Sequence, residues 1–103
     1  MRVIAKSALK LFWQKHAEAK LPLQNWYKLV SEADWENPAA LKLDLKNASL
    51  VGDNRVVFNI KGNVYRLVTY IDYKFKLVFI LWVGTHREYD KINVKTIVYD
   101  KGN

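Results

Sequence analysis

The stretch Arg55–Ile92, RVVFNIKGNVYRLVTYIDYKFKLVFILWVGTHREYDKI, leaves this chain few folds to choose from. Val56, Phe58 and Ile60 alternate with Val57, Asn59 and Lys61, the period of a half-buried strand. Lys61-Gly62-Asn63 then supplies a tight reversal, because Gly and Asn tolerate positive φ. The next strand, Val64 to Asp72, sorts Tyr65, Leu67, Thr69 and Ile71 onto one face and Val64, Arg66, Val68 and Tyr70 onto the other. Tyr73–Lys76 turns the chain again, and Leu77–Val83 is apolar on both faces, as an interior strand must be. Strands joined by reversals this short can only be antiparallel neighbours.

The first half reads as helical. Met1–Ile4 is a short strand, and Ser7 is placed to cap a helix whose stripe is Leu9, Phe12, Trp13 and His16. Lys6, Lys10, Gln14 and Glu18 form its solvated side. A link around Lys20 leads to a second, antiparallel helix with Pro22 in its first turn, the stripe Leu23, Trp26, Tyr27, Val30 and Ala33, and Trp35 at its end. Asn37-Pro38 is a cap and first-turn proline for a helical turn through Leu43; Ser49–Val51 is a short strand, and Gly52-Asp53-Asn54 a turn. The expected architecture is a single α+β domain spanning 1–103, with two N-terminal helices packed on one face of a mostly antiparallel twisted sheet. Residues 93–103 read either as an added edge strand through Val94, Thr96 and Val98 or as a frayed tail.

Half the residues are hydrophobic, enough for one core in 103 residues. Without Cys there is neither a disulfide framework nor a Cys-ligated metal. Arg2, Lys6 and Lys10 interrupt any signal-peptide core, and Leu77–Val83 is too short to span a bilayer, so a soluble cytoplasmic protein without a membrane partner is expected. A net charge of +7 and a pI near 9.7 fit a nucleic-acid partner, since cations displace the counterions condensed on a phosphate backbone.

Helices can cover only one face of such a sheet. Arg66 projects from the other, where its guanidinium can clamp a phosphate. Lys61 and Asn59 share a face of the preceding strand and are brought alongside; Arg55 and Arg87 extend the set of backbone-contacting groups. His86, two residues past Gly84, exchanges protons near neutral pH. Tyr89, about one helical turn on, can stack on a base or transfer a proton, and Asp90 can orient His86. With no cofactor and no metal-ligand cluster, zinc spacing, phosphate loop or nucleophile elbow, Arg66, His86 and Tyr89 suit metal-free RNA cleavage by the ribose 2′-OH. Plainer readings exist for each: Arg66 paired with Asp72, His86 as a surface residue, Tyr89 packed on the core, His16 in packing or facing a partner, and the four Trp residues in the core.

The segments RVVFNIKGNVYRLV (Arg55–Val68) and VGTHREYDKI (Val83–Ile92) resemble the HigB-type toxins of bacterial toxin–antitoxin modules, in the RelE/ParE superfamily; MRVIAKSALKLFWQKH (Met1–His16), NWYKLV (Asn25–Val30) and the Pro38 turn also fit. The resemblance covers about residues 1–92. It implies a RelE-like fold and an mRNA interferase that cuts message in the ribosomal A site, held in check by a cognate HigA-like helix-turn-helix antitoxin. It matches Arg66 to the superfamily's strand arginine, His86 to a basic or His residue after the last long strand, Tyr89 to a tyrosine near the C-terminus, and Lys61 to a variable basic position. Which group is base and which acid stays open. A non-catalytic RNA- or ribosome-binding module and a gyrase-poisoning relative of the same fold are the alternatives.

Overall fold

The computed structural model describes residues 1–97. Its elements run β1 (Arg2–Ile4), α1 (Lys6–Lys15), a 3-10 turn (Ala17–Ala19), α2 (Lys20–Glu32), α3 (Pro38–Asp44), β2 (Ser49–Gly52), β3 (Arg55–Ile60), β4 (Tyr65–Asp72), β5 (Leu77–Thr85) and α4 (His86–Tyr89). The strands form one sheet in the order β1-β5-β4-β3-β2. The neighbours β2 to β5 are antiparallel, whereas β1 adds at the sheet edge, parallel to β5, through Arg2↔Leu77, Val3↔Val78 and Ile4↔Phe79. The expected α+β class and mostly antiparallel sheet are therefore what the chain forms. Among the described residues, no helix is long and apolar enough to cross a membrane.

One core lies between the helices and one sheet face. Leu9, Leu23, Trp26 and Val30 meet Phe58, Ile60, Tyr65, Leu67, Ile71, Val78 and Ile80, all buried. The i, i+3, i+4, i+7 stripes of the two helices and the alternation of β3 and β4 are what deliver these side chains to one layer.

Several local expectations change. Ser7 lies inside α1; the N-cap is Ala5, in the left-handed region at φ 75°, and its carbonyl accepts the Ala8 N–H. The chain turns from β1 into α1 in so few residues that backbone geometry sets the helix start, without a side-chain cap. The link between the helices is the 3-10 turn, and Lys20 already begins α2, with Pro22 still in its first turn. Trp35 does not end α2. The helix stops at Glu32, Ala33 is extended, and Trp35 turns inward to 2% exposure, where its indole N–H donates to Asp44 Oδ2 at 2.8 Å. Burying the largest side chain with its donor satisfied outweighs another half-turn of helix. Asn37 caps α3 as its Asn-Pro signature demands, accepting from the Ala40 N–H at 2.8 Å.

The largest departure sits in β5. Val68 pairs with Trp82 but Thr69 pairs with Ile80, so Leu81 is an extra residue, a β-bulge. Before the bulge Val78 and Ile80 face the helices; after it Val83 does, and Trp82 and Gly84 move to the opposite face. Trp82 is thus half-buried on the second face, not in the core.

That second face is not uniformly open. Val57 and Val68, directly paired, are 3% and 0% exposed there. Near them the Arg55 guanidinium donates to the Ile97 carbonyl at 2.6 Å, bringing the end of the described chain onto this side. Val94 and Thr96 lie in a turn closed by Thr96 N–H to Asn93 O, so the edge strand expected there does not form at these two residues, while Val98 falls outside the described residues.

Candidate active site and nucleic-acid interface

The candidate site lies where β4 begins and β5 ends. Arg66 stands opposite Asn59 on β3 and Gly84 on β5, so these three positions share a row across the sheet. The guanidinium is held by backbone carbonyls, donating from Nη1 to Asn63 O at 3.1 Å and to Tyr65 O at 3.4 Å. Among the described residues it meets no carboxylate; Asp72, the partner expected in the plainer reading, sits at the other end of β4 and accepts from the Phe75 N–H. A half-buried cation bonded only to neutral carbonyls keeps most of its attraction for an incoming anion.

Gly84 leaves the space on one side of Arg66 to an aromatic. A Cβ built there would meet the Trp82 ring at 2.4 and 2.5 Å and Glu88 Oε1 at 3.0 Å. The Trp82 ring therefore folds over Gly84 and reaches Tyr89, centroid to centroid 6.2 Å, while the Arg66 guanidinium carbon lies 5.9 Å from the Tyr89 centroid. This Arg–Tyr–Trp group is a cationic, aromatic surface of the kind that holds single-stranded nucleic acid. The Gly84→Ala variant is expected to lose about 1–3 kcal/mol through overpacking and to change the near-ultraviolet dichroism as Trp82 shifts; an unaltered melting curve would show that the ring moves aside freely.

The short α4 carries His86 and Tyr89, and its start is well specified. Thr85 and Glu88 form a capping box: Glu88 N–H donates to Thr85 Oγ1 at 3.1 Å, and Thr85 N–H donates to Glu88 Oε1 at 2.8 Å. The Thr85 backbone N–H, then its hydroxyl, hold the Glu88 carboxyl below its usual range. The His86 N–H donates to Val64 O at 3.1 Å, tying α4 to the turn just before Arg66. The His86 imidazole is exposed, with Nε2 3.9 Å from Asp90 Oδ2, within ion-pair reach but too long for a hydrogen bond.

The structure thus brings together Arg66, Tyr89 and Asn59, with His86 one helical turn from Tyr89 on α4. Arg87 is exposed beside His86. Lys61 is exposed in the β3–β4 turn at φ 53°, where strand alternation has ended, and its charge acts on Glu18 of the helical layer. Arg55 is not brought to this cluster: it lies opposite Tyr70, at the other end of β3 from Asn59.

Sequence reasoning missed two features. Trp82 escaped because a bulge leaves no mark on periodicity. The other is a brace behind Arg66. The buried Tyr65 hydroxyl donates to Glu18 Oε1 at 2.7 Å, and its ring meets Phe12 and the His16 imidazole, which itself stacks on Phe12 at 4.4 Å. Burial first, and then Glu18, push the Tyr65 hydroxyl up to about 12; that hydroxyl, followed by Lys61, holds the Glu18 carboxyl below its usual range. The residue preceding Arg66 is thereby fixed to the helices.

Comparison with known proteins supports one family. A family profile described as HigB toxin, RelE-like toxic component of a toxin-antitoxin system, matches residues 19–92. The mRNA interferase HigB of Escherichia coli O6:H1 is 26% identical over 94 residues, covering 89% of this chain and 91% of that protein. The mRNA interferase toxin HigB of Escherichia coli K12 and the mRNA interferase HigB of Shigella flexneri are each 30% identical over 93 residues, covering 87% of this chain and 88% of theirs.

Proposed function

This chain belongs to the HigB family of RelE-like toxins, and from that premise we propose that it is an endoribonuclease that cuts mRNA on the ribosome. The observation that carries the reading is the Arg66 guanidinium, free of carboxylates among the described residues and set over Tyr89, with His86 exposed on the same short helix. In the proposed reaction the ribose 2′-OH attacks the adjacent phosphorus, the P–O5′ bond breaks, and a 2′,3′-cyclic phosphate and a free 5′-OH result. Arg66 binds the non-bridging oxygens and stabilises the charge that builds there. His86 moves a proton, taken from the 2′-OH or given to the departing 5′ oxygen, and Tyr89 stacks on a flanking base or serves the complementary transfer. Asn59, Lys61 and Arg87 contact the backbone around that phosphate; Arg55 contributes charge farther along the sheet. Base, acid and cation are all side chains, so no step requires a metal.

The family also supports a cognate antitoxin as partner, for which a HigA-like helix-turn-helix protein is the proposed form, and the cytoplasm as the place of action, where message and ribosomes meet. Mapping message ends after incubation with translating ribosomes tests the reading. Cuts are expected only when ribosomes are present. His86→Ala is expected to slow cutting by ~10²-fold or more, the usual share of general acid–base catalysis. Stalled ribosomes on intact message would overturn the nuclease reading.

A further inference from the structure

β2 begins at Ser49, which pairs with Val57, so the strand edge beyond Val57 has no β2 neighbour. A cavity of about 300 Å³ opens there, walled by the Trp26 and Phe58 rings, which meet edge to face at 5.4 Å, and rimmed by the Asn47 and Asn59 amides. A shallower hollow of about 500 Å³ shares Asn47 and Asn59 and continues to Gly62 and Asn63, whose carbonyl holds Arg66. Asn59 is also the direct cross-strand partner of Arg66. The cavity walls belong to the helix-covered face and the clamp to the other, so the path between them runs around the free edge of β3 by way of Asn59.

A second observation says what the cavity accepts. The Trp26 indole N–H is buried with no hydrogen-bond partner among the described residues, on a side chain 7% exposed that lines this cavity. The other polar groups are neutral amides and the Asp44 carboxylate, with Lys46 the lone cation on the wall. The margins of two largely buried rings, amides with both donor and acceptor edges, and a carboxylate suit the base of a nucleotide better than its phosphate.

We propose that this cavity is a nucleobase subsite, holding, around the free edge of β3, a base of the strand whose phosphate is bound at Arg66, and selecting it through Asn47, Asn59 and the Trp26 N–H. The assignment rests on the endoribonuclease reading for its biological use, and its binding chemistry is testable without it. The four nucleoside 5′-monophosphates and ribose 5-phosphate are titrated into the full chain while the assigned Trp26 indole N–H resonance is followed by NMR. A saturable shift is expected with at least one base and none with ribose 5-phosphate. Asn47→Ala, an exposed loop change, should weaken that binding roughly fivefold, as for one lost hydrogen bond. No shift with any base, an equal shift with ribose 5-phosphate, or wild-type binding by Asn47→Ala overturns the subsite. On mapped cut sites, Asn47→Ala should flatten the preference at one flanking base while Arg66-dependent cutting persists; an unchanged profile counts against the proposal. Should the wild-type chain cut no message at all, the nuclease reading fails and the titration still decides the subsite.

Discussion

Arg66→Ala is expected to reduce message cutting by ~10²–10³-fold, the usual effect of removing one preorganised group that stabilises transition-state charge. The effect should be large because nothing nearby can replace it. Its neighbours in the row are Asn59 and Gly84, neither of them charged, while Lys61 and Arg87 stand outside that row, in the β3–β4 turn and on α4. The loss should also be specific. Arg66 is half-buried, and its hydrogen bonds go to carbonyls at the edge of a turn, so the melting temperature should barely change. Arg66→Lys should recover only part of the activity, since an ammonium lacks the planar fork that grips two phosphate oxygens and stacks on Tyr89. Full cutting by a folded Arg66→Ala protein would remove the phosphate clamp from its assigned place.

Trp35→Ala should be the most damaging single change to the fold, costing about 3–5 kcal/mol, in the range for large aromatic truncations. Against a total stability of about 5–15 kcal/mol for a domain of this kind, that leaves little. Beyond its buried ring and the bond to Asp44, the Trp35 carbonyl accepts from Lys76 Nζ at 3.0 Å, and the same ammonium pairs with Asp34 at 2.9 Å. The segment after α2 is thus tied to the β4–β5 turn. Trp35→Phe narrows the loss: it keeps a six-membered ring but gives up the bond to Asp44 and the volume of the five-membered ring, about 1–3 kcal/mol in all. Thermal or urea unfolding measures both, and an alanine variant within 1 kcal/mol of the parent would mean the cavity collapses far more easily than this packing suggests.

The sheet and both helices were legible because their residues alternate at periods of 2 and 3.6 with few exceptions; β3 and β4 were expected almost residue for residue, and β5 as far as its bulge. The Asn37-Pro38 start was legible for a chemical reason, a side-chain acceptor followed by a residue without a donor. What the sequence hid is where geometry overrides pattern. Ala5 begins a helix in the left-handed region although Ser7 offered a cap, and Trp35 leaves its helix to reach Asp44. Leu81 is inserted into a run that is apolar on both faces, so no polar residue marks the slip that turns Trp82 toward Tyr89. Arg66, His86 and Tyr89 stood out by residue type. Their companions Trp82, Asn47 and Trp26 did not, since an aromatic on a stripe and an Asn in a loop have ordinary explanations.

The parallel pairing of β1 with β5 joins residues 2–4 to residues 77–79. Synthesis runs from the N-terminus, so β1 waits for a strand made much later, and long-range closure of this kind is slow. Until β5 has been made, the chain has neither the finished sheet edge nor α4, which follows β5. Pairing of that edge and completion of the candidate site therefore go together, and a partly made chain carries Arg66 without His86 and Tyr89.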